Sequence, residues 1–149
     1  MKGAGPVVIS ARLRAQIEHR TAVAPDILVV AFALPGSPQS AGAARVRVRA
    51  APAAAGLPDL TDDAMLITSE LVGNAVQHAG SPVDVALITA HGVLMILVAD
   101  SSRLPPVMDA AVDTTESGRG LVIVDAIADS WGHWLTNAGK TVWACLRLP

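Results

Sequence analysis

Residues 57–80 read LPDLTDDAMLITSELVGNAVQHAG. Pro58, then Asp59 or Thr61 as N-cap, acids in the first turn and a stop at Gly80 give this stretch the clearest boundaries in the chain. They predict a helix of about five turns. Leu71, Val72, Ala75 and Val76 are its packing residues. Glu70, Asn74 and His78 recur at intervals of four, and positions four apart differ by only about 40° in azimuth, so they form one polar stripe beside the apolar one. A carboxylate one turn from a carboxamide offers hard oxygen chemistry. Glu70 can accept a proton, and Asn74 can ligate Mg²⁺ without adding negative charge beside phosphates. A solvent-exposed helix face is the bland reading of the same residues; for His78 an orienting or core role is preferred to chemistry.

Downstream, SPVDVALITAHGVLMILVAD (81–100) is two β-rich runs joined at His91-Gly92, a pair suited to a tight hairpin turn. The second run is apolar until it ends on Asp100. A carboxylate leaving a hydrophobic strand either accepts a hydrogen bond from an exocyclic amine, such as that of adenine, or caps the next turn of its own backbone. The following SSRLPPVMDAAVDTTESG (101–118) has no period and two adjacent prolines, and its length marks a functional lid or binding loop. In ESGRGL (116–121), Gly118 and Gly120 flank Arg119 just before an apolar helix, GRGLVIVDAIADS. Glycine permits close backbone approach, and a helix N-terminus adds N–H donors and a positive dipole end, which suits phosphate; simple turn chemistry explains the glycines equally. WGHWLTNAGKTVWACLRLP (131–149) closes the chain as a hairpin turning at Asn137 to Gly139.

Upstream, DILVVAFALPG (26–36) reads as a buried strand ended by Pro-Gly. SPQSAGAARVRVRAAPAAAG (37–56) combines a Ser-Pro helix start with a strand-like RVRVR alternation, and the helix is preferred. Arg45, Arg47 and Arg49 without interleaved aromatics are a solvated face rather than a nucleic-acid contact. Residues 1–25 form a poorly specified leader with a short helix expected over Ser10–Arg20, and 26–149 form one domain. The order strand, helix, helix, hairpin, loop, helix, hairpin predicts an α+β two-layer sandwich, with helices on one face of the sheet.

Composition narrows the function classes. The 149 residues are 52% hydrophobic and 16% charged, with a net charge of −2, which excludes a disordered chain and offers no general attraction to nucleic acid or anionic membrane. One cysteine, Cys145, precludes an internal disulfide and a cysteine zinc cage; its apolar run makes it a buried structural thiol. No apolar run near the N-terminus approaches the roughly 20 residues of a membrane span. Arginines interrupt what a secretion signal needs continuous, so the expected location is cytoplasmic.

Taken in order, SELVGNAVQHA, ILVADSS, a long loop, ESGRGLVIV and GKTVWACL resemble the GHKL family of ATP-binding domains, shared by sensor histidine kinases, DNA gyrase and heat-shock chaperones. Within it the sequence is most similar to the bacterial anti-sigma-factor serine/threonine kinases and their actinobacterial relatives. The resemblance spans roughly residues 27–148. It implies a Bergerat-type sandwich on a mixed, mainly antiparallel sheet, with ATP and Mg²⁺ as ligands. It also implies Glu70 as general base, Asn74 as Mg²⁺ ligand, Asp100 as acceptor of the adenine amine, Gly118, Arg119 and Gly120 as the phosphate-side loop, and Thr141 as a hydroxyl beside the adenine. The implied partners are a sigma factor or an anti-sigma antagonist protein, with no direct nucleic-acid or membrane contact and a homodimer left open. One departure stands out. Where the family has Asp-x-Gly-x-Gly, this chain reads Asp100-Ser101-Ser102-Arg103-Leu104, with no glycine until Gly118. The expected function is an ATP-binding regulator that transfers the γ-phosphoryl group to an antagonist protein. A non-catalytic sigma-factor or regulator-binding module is the alternative, and a water-activating ATPase a third.

Overall fold

The computed structural model describes residues 28–90, 92–106 and 116–148, with side chains described from Val30 onward except at positions 90 and 116–119. The leader with its expected helix, His91 of the hairpin turn and residues 107–115 of the long loop lie outside the described residues. Five strands, β1 (Leu28–Leu34), β2 (Val83–Ala90), β3 (Val93–Asp100), β4 (Ser130–Thr136) and β5 (Gly139–Arg147), form one sheet in the order β1-β2-β3-β5-β4. Every neighbouring pair among the described strands is antiparallel, in keeping with the mainly antiparallel sheet expected. Among the described residues three longer helices, α1 (Ser40–Val48), α2 (Thr61–Ala79) and α3 (Glu116–Ile127), supply the second layer, with a single helical turn at Ala51–Ala54 between the first two. The sandwich is therefore the α+β two-layer architecture that the sequence predicts.

Period-two alternation divides each strand between two environments. Phe32 and Leu34, Val83, Val85 and Leu87, Leu94, Ile96 and Val98, and Val142, Ala144 and Leu146 all face the helices and share one core with Ile67, Leu71 and Val72 of α2 and Leu121 and Val124 of α3. The opposite face carries a smaller apolar cluster of Ala86, Ile88, Leu97 and Ala99, flanked by Met95, Trp134 and Trp143. Cys145 is a buried thiol, as expected.

The α2 boundaries differ in one respect from the expected caps. A 3₁₀ turn over Pro58–Leu60 runs directly into the helix, so Leu60 stands at the N-cap without a side-chain cap, and Thr61 is the first helical residue. Asp62 and Asp63 still place negative charge in the first turn, where the helix dipole favours it. The other end follows the sequence closely. Gly80 adopts φ 60°, and its N–H reaches the Val76 carbonyl at 3.0 Å, the left-handed stop that glycine makes without steric cost. Residues 40–48 are helical despite RVRVR. Ala44 and Val48 are buried while Arg45, Arg47 and Arg49 are exposed, and the Arg47 guanidinium stacks 4.5 Å from the Phe32 ring centroid.

Candidate nucleotide site

The polar stripe on α2 divides between two hollows, with Asn74 at their junction. On one side a cavity of about 450 Å³ opens between α1, α2 and α3, lined by Ala41, Ser69, Glu70, Gly73, Asn74, Gln77 and Ile123. On the other side a hollow of about 10 Å³, room for little more than one water, lies between α2 and the sheet and touches Asn74, His78, Asp100, Pro106 and Lys140. Glu70 and Asn74 thus face one space, as their spacing predicts. His78, exposed at the end of the helix, borders the second space instead.

Glu70 is pinned from the opposite helix. Gly120 of α3 sits so close that a Cβ there would lie 3.0 Å from Glu70 Oε2 and 3.5 Å from the Glu70 carbonyl oxygen. The loop differs from the expected one. Gly118, Arg119 and Gly120 do not precede the helix but occupy its first turn and a half, because α3 begins at Glu116. The backbone N–H at position 118 still belongs to the first turn, where helices leave donors without intrahelical partners. The side chain of Arg119 lies outside the described residues.

Asp100 ends β3 on the helix side and is 1% exposed. Of the two alternatives for it, the structure shows the cap. Its Oδ1 accepts the Ser102 N–H at 2.8 Å, which is the cap of its own turn. Its other partner is one that sequence reading missed: Lys140 Nζ lies 3.0 Å from Oδ2 and 3.1 Å from Oδ1, and the lysine is itself 3% exposed. Burial makes this arrangement intelligible, because a carboxylate removed from water needs a compensating charge. Asp100 pairs with Lys140 in the β3–β5 ladder, a register that no local sequence signal fixes. Thr141 pairs instead with Ala99, so it lies on the far face of the sheet, away from Asp100, and the position beside the carboxylate belongs to its predecessor.

The residues fit a nucleotide-held Mg²⁺. Among the described residues no group of three or more His, Cys, Asp or Glu could hold a metal ion. Mg²⁺ carried by phosphates, however, needs only one or two protein oxygens, and Asn74 beside Glu70 in the larger cavity supplies that donor set.

An antiparallel sheet backed by helices, with a carboxylate and a carboxamide one turn apart over a cavity, is the α+β arrangement that the resemblance implies. The family model for the histidine kinase-like ATPase domain matches residues 34–146, and the chain belongs to that family. No individual curated protein matches it. Among the described residues no helix is long and apolar enough to cross a membrane.

Proposed function

We propose that the chain is an ATP-dependent regulatory protein of the anti-sigma-factor serine/threonine kinase type, which transfers the γ-phosphoryl group of ATP to a serine or threonine of an antagonist protein. The observation that carries this reading is the joint lining of one 450 Å³ cavity by Glu70 and Asn74 in a histidine kinase-like ATPase domain. Asp100 marks the base end, Asn74 offers its neutral oxygen to the metal, and the first turn of α3 offers N–H donors to phosphate. Bound Mg²⁺ would neutralise phosphate charge. The acceptor oxygen attacks the γ-phosphorus, the bond to the β–γ bridging oxygen breaks, ADP leaves, and the acceptor proton passes to the Glu70 carboxylate. Positioned general bases contribute about 10²- to 10⁴-fold, so Glu70→Ala is expected to lower phosphorylation of the antagonist by at least about 10²-fold. Its ATP affinity by calorimetry should stay within a few-fold of wild type. Full transfer by that variant would remove Glu70 from the role.

A second reading, a binding module for a sigma factor or regulator, is favoured by one observation. The base end is filled by Lys140 and leaves only about 10 Å³. It predicts partner binding that is the same with and without Mg-ATP, and no phosphorylated product. ATP-dependent binding would argue against it.

A further inference from the structure

We propose that Lys140 sets the nucleotide affinity of this site by competing with the base for Asp100; the inference rests on the reading of Asp100 as the base acceptor. A carboxylate offers about four lone-pair positions. Here Oδ1 already receives the Ser102 N–H and the Lys140 ammonium, and Oδ2 receives the same ammonium. One position on Oδ2 remains, but the hollow against it holds about 10 Å³ between Leu71, Ala75, Val98, Pro106 and Val142. A purine ring does not fit there while the lysine stays. The occupant is the flexible one: four methylenes carrying a strongly hydrated ammonium, which gains solvation on leaving. The base must therefore exchange places with Lys140, giving Asp100 a neutral N–H donor where it held a charged one. Charge-assisted bonds are about twice as strong as neutral ones, so the exchange weakens nucleotide binding. Backbone register fixes the competitor in place, because Lys140 is the direct ladder partner of Asp100 and the second residue of β5 after the β4–β5 turn.

On this reading the phosphates lie in the larger cavity, which Glu70 and Asn74 line and Lys140 does not, so the effect of Lys140 belongs to the base. Titration calorimetry of the full chain with Mg-ATP and, separately, with Mg-tripolyphosphate tests this. Lys140→Thr is expected to bind Mg-ATP about tenfold or more tightly than wild type, with tripolyphosphate affinity unchanged. Unchanged or weaker ATP binding by a folded Lys140→Thr, or an equal gain for tripolyphosphate, overturns the role of Lys140 and leaves ATP binding by the wild type intact. No ATP binding by either protein at millimolar nucleotide overturns both this inference and the ATP reading beneath it. Should Lys140→Thr fail to fold, Lys140→Arg decides. Its planar fork holds both oxygens of Asp100, so it should bind Mg-ATP about tenfold more weakly, and affinity equal to or above wild type overturns the proposal.

Discussion

A single ammonium placed 3.0 Å from a carboxylate, both withdrawn from water, costs more to break than to keep. Removing one member of a buried pair typically destabilises by about 3–5 kcal/mol, because the remaining charge is left without a partner, whereas replacing both with apolar residues is often neutral or stabilising. Asp100→Leu alone is therefore expected to lower the unfolding free energy by about 3 kcal/mol or more, and Asp100→Leu with Lys140→Met to recover most of that loss. Urea denaturation of the two singles and the double measures it; additive losses would mean that the two groups are not coupled. The same burial limits chemistry at Nζ. The chain has two lysines, Lys2 and Lys140, so an acylation footprint is simple to read. Lys140, 3% exposed and held by Asp100, should acetylate in the native protein at least about tenfold more slowly than in the urea-unfolded chain, as mass spectrometry of its peptide would show. Equal rates would mean that the pair is open in solution. A hydroxyl supplies the contrasting case. Thr68 Oγ1 on α2 is buried without a hydrogen-bond partner, so Thr68→Val, which keeps the shape and removes the polar atom, is expected to be neutral or to raise stability by about 1 kcal/mol in a urea melt.

Between α2 and α3 the contact that matters is a glycine against a carboxylate. Alanine favours a helix interior over glycine by up to about 1 kcal/mol, so Gly120→Ala should leave the melting temperature unchanged or slightly higher. Yet its Cβ would stand 3.0 Å from Glu70 Oε2, and the carboxylate must give way by a few tenths of an ångström. If Glu70 is the base, phosphoryl transfer should fall by about tenfold in a protein at least as stable as wild type, since small misplacements of a reacting group are costly. Unchanged transfer would show that Glu70 has slack. This glycine also shows where the sequence stops being legible. Helix α2, strand β1 and both hairpins could be read because their signals are local: apolar period, Pro-Gly punctuation, a glycine stop. The start of α3 was legible only to within two residues, at Gly118 where the helix begins at Glu116, because Gly118 and Gly120 argue against helix by propensity. The pairing of Glu70 with Asn74 was likewise legible from spacing alone. The identity of the residue beside Asp100 was not, because it depends on the register between two strands forty residues apart, and one step of register exchanges Lys140 for Thr141.

Across the whole molecule, the last hairpin is the element whose independence is easiest to question. Its β4 is an edge strand among the described residues, and Trp131, Trp134 and Trp143, the three tryptophans of the sequence, all lie on it. Tryptophan emission therefore reports this hairpin, while far-UV circular dichroism reports the helices and the rest of the sheet. Topology ties the two together. Strand β5 lies between β3 and β4, paired with β3 from Val93↔Arg147 to Asp100↔Lys140, so withdrawing it breaks both of its ladders and opens the Asp100 pair. On the helix side Val142, Ala144 and Leu146 belong to the main core, and Trp131 donates its Nε1–H to Asp125 of α3 at 2.8 Å. On the far side the Trp143 ring packs on Gly132, where a Cβ would meet it at 2.8 Å. No part of the hairpin can leave without exposing the shared core, which is the condition for a single cooperative transition. Urea unfolding followed by tryptophan emission and by circular dichroism should therefore give coincident midpoints and equal slopes. An emission midpoint lower by about 0.5 M urea or more, beyond the scatter of such fits, would mean that the hairpin opens first. The Lys140–Asp100 pair across the β3–β5 ladder, where we propose that the base binds, would then lie in the least stable part of the domain.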